Sequence, residues 1–277
     1  MAVFVQLTDF HLRPPGFLAL DRVDADSFAA HAIDAVIAKH PDIDAVIVTG
    51  DVADLGEEEA YARAAMLLSR FSVPVLVTPG NHDRTDTMRE AFITWPGIAE
   101  RPVAHKLCHA TTHGDVTVVM LDTSVDGMDT GEHHGELGQA QLYWLDETLN
   151  AAGPTLIAMH HPPFAIGNAF LDQIALRDAD ALGAILARYD NVQRVICGHV
   201  HRTIVGSIGG VCAMAIPGVA HQMPLLLSDK AKPYMIMEPP TYGVHLVDAS
   251  GAVSHVGYVE KFAAPPKPVA DDKRTGL

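Results

Sequence analysis

The sequence is poor in cysteine, in basic residues and in long apolar runs, and each shortage excludes a class of protein. Its 277 residues include three cysteines, Cys108, Cys197 and Cys212, without CxxC spacing. We therefore expect reduced core thiols rather than a disulfide framework or a thiolate zinc site. No apolar run approaches the ~18 residues of a membrane span, and the first residues carry no basic export signal. These shortages predict a cytoplasmic protein without a membrane partner.

The scarcity of positive charge restricts the partners of the chain. Lysine and arginine number 19 against 34 aspartates and glutamates, which gives a formal net charge of -15. Such a chain repels polyanions, so we expect no nucleic-acid polymer as a partner, whereas a small anionic substrate held by metal ions is compatible. The 48% hydrophobic and 19% charged residues are typical of one compact globular unit.

Short runs rich in valine and isoleucine alternate with segments of helical spacing through most of the chain. Candidate buried strands span Val3–Leu7, Ala45–Thr49, Val73–Thr78, Val116–Leu121, Leu156–Met159 and Val192–Cys197. Candidate helices span Ala25–Ala38, Glu57–Ser69, Gln139–Leu149 and Ala179–Arg188. Strands that alternate with helices predict an α/β protein.

The later part of the chain changes in character. Three more strand-like runs follow one another without helices, at Val211–Ile216, Gly243–Asp248 and Val253–Val259. They predict a second sheet with more antiparallel character. We expect residues 223–262, which include an irregular proline-rich excursion, to form a cap or oligomer contact that completes the second sheet. Residues 263–277 are expected to be a disordered tail.

Polar clusters directly follow five of the candidate strands. They are Asp9-Phe10-His11, Gly50-Asp51, Gly80-Asn81-His82-Asp83, His160-His161-Pro162-Pro163 and Gly198-His199-Val200-His201. Ligand sites in open α/β sheets form beyond the carboxyl ends of the strands. We therefore expect the five clusters to converge on one site.

The donor atoms in these clusters indicate which metals could bind. Asp, Asn and His offer carboxylate, amide oxygen and imidazole without thiolate, which suits Mn, Fe, Co or Zn. Asp9 with His11, and His199 with His201, each place two donors on the same side of an extended segment. Asp51 stands alone at the end of its strand, and its two oxygens can bridge two ions. Two such ions can clamp an in-line phosphoryl displacement and activate a shared water, so the nucleophile would be hydroxide.

Over residues 3–222 the chain resembles the calcineurin-like metallophosphoesterase family. The resemblance is carried by five short strings in this order: D-x-H, G-D, G-N-H-D, H-H-P and G-H-x-H. The resemblance implies a catalytic domain in residues 1–222 with an α/β fold, a four-layer αββα sandwich of two mixed β-sheets flanked by helices. It implies two metal ions, one on Asp9, His11, Asp51 and His201 and the other on Asp51, Asn81, His160 and His199. It also implies that His82 stabilises the transition state or protonates the leaving group. We expect Asp83 to orient His82.

Further residues indicate which branch of the family the chain resembles. Asp54 stands where purple acid phosphatases carry a metal-binding tyrosine, and Asn81-His82-Asp83 differs from the Asn-His-Glu of protein Ser/Thr phosphatases. The strings His160-His161-Pro162-Pro163-Phe164 and Pro217-Gly218-Val219-Ala220-His221 resemble bacterial glycerophosphodiesterases and class III cyclic nucleotide phosphodiesterases. This likeness implies a small phosphodiester substrate with His221 near its phosphate. It also implies a homo-oligomer that pairs through residues 223–262.

Two other functions stay open. One is a phosphomonoesterase or a hydrolase of nucleoside pyrophosphates, which an arginine-rich pocket would support. The arginines near the motifs are Arg13, Arg84, Arg177 and Arg202. The other is a binding scaffold without activity, which would lack metal ligands, whereas all the expected positions are filled.

Several further histidines lie outside this set. His161 competes with its neighbour His160 as the ligand, and would otherwise donate a hydrogen bond from behind the site. His133 and His134 are typical of a solvated loop. The remaining candidates, interpreted as surface residues of a loop or strand entry, are His105, His109 and His113.

Overall fold

The computed structural model describes residues 1–126, 131–227 and 234–260. Its strands are β1 Ala2–Leu7, β2 Ala45–Thr49, β3 Val75–Thr78, β4 His109–His113, β5 Val116–Met120, β6 Thr155–Ala158, β7 Val192–Cys197, β8 Ile204–Ile208, β9 Val211–Ala215, β10 Thr241–Asp248 and β11 Gly251–Tyr258. Its helices are α1 Ala25–Lys39, α2 Glu58–Leu68, α3 Thr85–Ala91, α4 Gln139–Ala151, α5 Ala169–Gln173 and α6 Ala179–Leu186. The predicted elements are all present, whereas β4, β8, α3 and α5 were not predicted. No helix in the described ranges combines the length and apolar character needed to cross a membrane.

The strands form two mixed sheets. The first has the order β11-β10-β1-β2-β3, in which β1, β2 and β3 are parallel. The second has the order β4-β5-β6-β7-β9-β8, with antiparallel strands at its two edges. The prediction of an α/β protein with two mixed sheets flanked by helices is confirmed.

The last two strands do not complete the second sheet, and that part of the prediction is wrong. β10 and β11 form an antiparallel hairpin, and β10 pairs with β1 of the first sheet, so that Phe4 lies opposite His245. Hydrophobic periodicity shows which face of a strand is buried but not which strand it pairs with. The boundary after residue 222 stays a prediction, and the predicted tail at 263–277 lies outside the described residues.

Three apolar clusters separate four layers of structure. Phe4 of the first sheet and Met120 of the second belong to the cluster between the sheets. On the outer face of the first sheet, the cluster includes Ile33 of α1, and on that of the second sheet it includes Leu145 of α4. Helices therefore cover both outer faces, as in an αββα sandwich.

Gln6 joins the two sheets beneath their carboxyl ends. Its Nε2 donates to Thr49 Oγ1 of β2 at 2.8 Å and to the Cys197 carbonyl oxygen of β7 at 2.9 Å. Its Oε1 lies 3.1 Å from Nε2 of the buried His245. Thr49 and Cys197 end their strands, so the two sheets finish side by side and their loops start from one edge.

His109 lies in the core and not at the surface as predicted. It begins β4, is fully buried, and neither ring nitrogen has a hydrogen-bond partner among the described residues. Burial lowers the pKa of His109 to about 4. The prediction was wrong because pairing with β5, which the local sequence does not specify, turns this side chain inward.

We expect His109→Leu to make folding less sensitive to acid. Histidine in the unfolded chain binds a proton below about pH 6.5, whereas folded His109 does so only below about pH 4. The wild type therefore loses stability as the pH falls through that window. Relative to wild type, the variant should gain up to about 3 kcal/mol between pH 7 and pH 4, measured by urea denaturation. An equal gain in the control His31→Leu, on the exposed side of α1, would contradict this expectation.

Candidate metal centre

The seven residues predicted as metal ligands meet at the shared edge of the two sheets. They follow β1 (Asp9 and His11), β2 (Asp51), β3 (Asn81), β6 (His160) and β7 (His199 and His201). Each side chain is buried, with a residue exposure of 5% or less. Buried polar groups in this number must be compensated by one another or by ions.

Four of them form a first cluster. One donor atom each of Asp9, His11, Asp51 and His201 lies within 4.8 Å of the others. The Nε2 atoms of His11 and His201 are 3.3 Å apart, and His201 Nε2 is 3.2 Å from Asp9 Oδ1. His11 Nε2 is 3.6 Å from Asp51 Oδ2. Two imidazoles and two carboxylates in this arrangement are a suitable ligand set for a divalent ion.

A second cluster shares the Asp51 carboxylate. His160 Nε2 is 3.4 Å from Asp51 Oδ2 and 3.1 Å from Asn81 Oδ1. The His199 ring centroid is 5.0 Å from that of His160, and His199 Nε2 is buried without a hydrogen-bond partner among the described residues. A bound ion would supply the partner that this buried nitrogen lacks. Asp51 Oδ2 therefore lies next to donor atoms of both clusters.

Hydrogen bonds at Nδ1 orient three of these imidazoles. Nδ1 of His11 lies 3.0 Å from Asp54 Oδ1, that of His160 lies 2.7 Å from the Thr49 carbonyl oxygen, and that of His201 lies 2.7 Å from the His221 carbonyl oxygen. Because these oxygens accept, each Nδ1 carries the proton. Nε2 is then the nitrogen directed at the clusters, and a bound ion would take the place of any proton on it, as in metal-bound histidines.

His160 and His161 differ in what surrounds their ring nitrogens, because only Nε2 of His160 lies beside the Asp51 carboxylate, at 3.4 Å from Oδ2. His161 Nδ1 lies 2.7 Å from Thr123 Oγ1, and its Nε2 lies 3.1 Å from the His133 carbonyl oxygen. Both ring nitrogens are thus engaged within the protein. Burial lowers the pKa of His161 well below its usual value, so the ring is neutral. Its contacts favour a supporting position for His161 behind the site.

The electrostatics of the site favour bound cations. Burial disfavours the charged forms of both Asp51 and His160, but their mutual attraction outweighs it. The pKa of Asp51 is lowered well below its usual value, and that of His160 is raised to about 9. Despite burial, attraction likewise lowers the pKa of Asp9 and raises that of His201. The two carboxylates are ionised at neutral pH and require positive charge beside them, which metal ions can supply.

Five of the seven residues have left-handed backbone conformations. The φ angles are 54° at Asp9, 49° at His11, 50° at Asp51, 70° at His199 and 47° at His201. Residues other than glycine are disfavoured in this region, and such strain concentrates at functional sites. The prediction of extended segments for the two pairs was therefore wrong. Tight loops beyond the strand ends, and not strand alternation, bring these donors together.

Glycine at position 80 permits a close approach of the loops after β2, β3 and β6. A Cβ atom there would stand 2.2 Å from Asp51 Oδ1 and 2.8 Å from His160 Cε1. Both distances are well inside van der Waals contact. A side chain at this position would displace the carboxylate shared by the two clusters.

Asp54 belongs to the site, although the sequence did not single it out as a site residue. Its Oδ1 accepts from His11 Nδ1, and its carbonyl oxygen accepts from His82 Nδ1 at 2.8 Å. Burial would raise the pKa of Asp54, but His11 lowers it below its usual value. Its position three residues after Asp51 is the one sequence signal that could have indicated it.

Asp83 does not orient His82, contrary to the prediction. The Asp83 carboxylate accepts hydrogen bonds of 2.9–3.1 Å from the backbone N–H groups of Val52, Ala53 and Gly80 and from the Tyr61 hydroxyl. Asp54 holds the His82 ring instead, and the His82 backbone N–H donates to Asp51 Oδ1 at 2.9 Å. Adjacent side chains on this loop point in different directions, so Asp83 braces the loops after β2 and β3.

Three further histidines lie around the ligands. His82, His133 and His221 line a cavity of about 430 Å³ together with five of the seven ligand residues. The ring centroid of His221 is 4.6 Å from that of His201, and burial lowers the pKa of His221 to about 2. His133 Nδ1 lies 3.3 Å from Asn81 Nδ2. His134 is buried outside the cavity, so its interpretation as a solvated residue was wrong.

Much of the remaining cavity lining is apolar. Besides the buried core residue Leu171, six such residues line the cavity, and we call them the apolar wall: Leu20, Phe170, Ile174, Met223, Tyr234 and Met235. They come from the loop before α1, from α5 and the residue after it, and from the excursion after residue 222. No lysine or arginine lines the cavity in the described part of the chain.

Comparison with known proteins agrees with these observations. A family model described as calcineurin-like phosphoesterase matches residues 2–203. A "Probable glycerophosphodiester phosphodiesterase" of Arcobacter nitrofigilis is 30% identical over 95% of this chain and 95% of its own. A "Probable cyclic nucleotide phosphodiesterase" of Rhodopseudomonas palustris is 34% identical over 91% of this chain and 90% of its own.

The fold also recurs among solved structures. A dimetal phosphatase from Danio rerio superposes with a TM-score of 0.65 and 15% identity, covering 91% of this chain and 98% of its own. At that identity the likeness concerns the fold alone. It agrees with two sheets flanked by helices.

Proposed function

The chain belongs to the calcineurin-like phosphoesterase family, and from that premise we propose that it is a metal-dependent phosphodiesterase acting on small phosphodiesters. The observation that carries the proposal is the Asp51 carboxylate, whose Oδ2 lies 3.6 Å from His11 Nε2 and 3.4 Å from His160 Nε2. One carboxylate between two clusters of buried donors fits a dinuclear hydrolase. The names of the relatives suggest cyclic nucleotides or glycerophosphodiesters as substrates.

The seven candidate ligands can be divided into sets for two ions. We assign Asp9, His11, Asp51 and His201 to one ion, and Asp51, Asn81, His160 and His199 to the other. The donors suit Mn, Fe, Zn or Co, and the buried, unpartnered His199 Nε2 fits a ligand. Bound ions supply a water of lowered pKa and polarise the phosphoryl oxygens.

His82 is proposed as the group that assists departure of the alcohol. Its Nδ1 donates to the Asp54 carbonyl oxygen, and the ring lines the cavity. A second proton, carried at Nε2 on the opposite edge of the ring, could pass to the departing alkoxide. His221, a neutral ring beside His11 and His201, is proposed to contact the substrate phosphate.

We expect His82→Ala to lower kcat by about 10²- to 10³-fold for an alkyl diester such as glycerophosphoethanolamine. The loss should be much smaller for bis(p-nitrophenyl) phosphate, because p-nitrophenolate departs without a proton. Steady-state kinetics on both substrates, with metal content measured in parallel, test this. Equal losses on the two substrates would contradict a role as proton donor.

Hydrolysis of a diester and a monoester by the same preparation tests the proposed function. Metal-stripped protein would be supplied with Mn, Fe, Co or Zn and assayed with bis(p-nitrophenyl) phosphate and p-nitrophenyl phosphate. We expect metal-dependent activity that prefers the diester. A preference for the monoester would refute the diesterase, and inactivity with all four metals would favour a scaffold.

A hydrolase of nucleoside pyrophosphates has no supporting observation. Additional phosphates favour arginine contacts, yet no lysine or arginine is among the described residues that line the cavity. Arg13 is paired with Glu57 and Arg202 with Glu238.

The proposal includes a homo-oligomer assembled through residues 223–262. Leu225, Leu227 and Met237 in that segment are 53–69% exposed, which favours burial against another surface. Analytical ultracentrifugation would test it.

Residence in the cytoplasm stays a prediction, supported by the free thiols of Cys108, Cys197 and Cys212.

A further inference from the structure

Leu20 occupies a strained position beside the cavity. The N–H of Arg22 donates to the Ala19 carbonyl oxygen at 3.0 Å, and the two residues inside this turn, Leu20 and Asp21, have φ angles of 49° and 56°. Turns with two positive φ angles strongly favour Gly, Asn or Asp. Leu20 is 48% exposed and belongs to none of the three core clusters. A leucine in this strained conformation that gains no core packing suggests a function in the cavity.

A backbone bridge positions two methionines of the apolar wall. Gln222 and Ile236 exchange both backbone hydrogen bonds at 2.9 Å. Met223 and Met235 are the residues next to this antiparallel bridge, and both line the cavity. The Gln222 side chain also donates to the Gly218 carbonyl oxygen at 2.6 Å. This bond ties the methionine pair to the loop that carries His221.

The chemistry of the apolar wall distinguishes between candidate leaving groups. Phe170 and Tyr234 offer aromatic rings, and methionine sulfur packs favourably against aromatic faces. Tyr234 supplies the one polar side-chain group among the six residues. A glycerol or ethanolamine group would lose its hydrogen bonds to water in this part of the cavity and would form few new ones with the wall residues. A planar base would instead stack and bury apolar area.

We propose that the apolar wall binds the nucleobase of a nucleotide, so that this chain hydrolyses a nucleoside-containing phosphodiester in preference to a glycerophosphodiester. The inference rests on the proposed function, since it assigns the group attached to the phosphate at the same site. The cavity of about 430 Å³ is within the range that holds ligands of this size.

Two variants of the wall and one matched control test the inference. Leu20→Asn suits the left-handed turn and removes the apolar contact, and Tyr234→Ala removes a ring that is 56% exposed. Leu18→Asn makes the same substitution two residues earlier, at a leucine that is 42% exposed and does not line the cavity. Each protein would be assayed, loaded with Mn, for kcat/KM on 3′,5′-cyclic AMP and on glycerophosphoethanolamine.

We expect the wild type to prefer cyclic AMP. Each wall variant should lose about fivefold to tenfold of kcat/KM on cyclic AMP and change by less than about twofold on glycerophosphoethanolamine. Leu18→Asn should match wild type on both. A wild type that prefers glycerophosphoethanolamine, or wall variants that lose both activities equally, would overturn the inference while leaving the phosphodiesterase intact.

Equilibrium binding separates failure of the inference from failure of the proposed function. The dissociation constants of 5′-AMP and glycerol 3-phosphate for the Mn-loaded protein would be measured by calorimetry, without turnover. If no diester is hydrolysed, tighter binding of 5′-AMP that both wall variants weaken still supports the base site. Equal affinity for the two monoesters would overturn the base site whatever the activity.

Discussion

Asp51→Asn is expected to lower phosphodiesterase activity by at least about 10³-fold. The carboxylate is buried, and its Oδ2 lies within 3.6 Å of an imidazole nitrogen from each cluster. An amide of the same shape offers one oxygen and no charge, so it cannot compensate two cations. We also expect the number of bound metal ions to fall, measured by elemental analysis beside kinetics on bis(p-nitrophenyl) phosphate.

The matched control for this prediction is Asp42→Asn, which makes the same change at an exposed position before β2. It should leave activity and metal content unchanged. An Asp51→Asn protein that binds two ions and keeps more than about a tenth of the activity would show that this carboxylate is not the shared ligand.

Asp83→Ala is expected to destabilise the fold by about 3–5 kcal/mol. The substitution leaves three buried backbone N–H groups and the Tyr61 hydroxyl without their acceptor. Each unsatisfied donor costs about 1–3 kcal/mol, less what water entering the gap recovers. Urea denaturation of wild type and variant at pH 7 would measure the difference.

The companion to this variant is Asp86→Ala, at an exposed position in the first turn of α3, which should cost less than about 1 kcal/mol. If Asp83 oriented His82 instead of bracing the loops, Asp83→Ala would lower kcat without a comparable loss of stability. That outcome would restore the role predicted from the sequence.

The sequence placed the candidate ligand residues at one edge of the fold for a local reason. Apolar runs of four to six residues mark buried strands, and polar residues that follow them directly lie at strand ends. Asp9, Asp51 and His160 could therefore be assigned to one edge before any contact was known. The boundaries of the strands that were predicted are within two residues of those observed, and β2, β3 and β6 are buried on both faces, which leaves a continuous apolar signal.

Supporting residues were harder to find, because their function depends on contacts between distant segments. Asp54 orients His11, 43 positions away, through a hydrogen bond. Gln6 joins the two sheets through a hydrogen bond to Cys197, 191 positions away. Neither position has a periodicity or a motif that would reveal its partner. Asp83 is a further example. Its adjacency to His82 in the sequence suggested that it orients that ring, whereas in the folded loop its carboxylate accepts from the backbone of Val52, Ala53 and Gly80.

The amino-acid sequence by itself determined the α/β class, the family, and the identity of the residues available as metal ligands, because these follow from local patterns of polarity and from short motifs. Only the tertiary structure decided that β10 joins β1, that His109 is buried, and that Leu20, Tyr234 and Met235 line the cavity. Strand pairing and loop packing depend on which distant surfaces fit together, and that complementarity has no local signature.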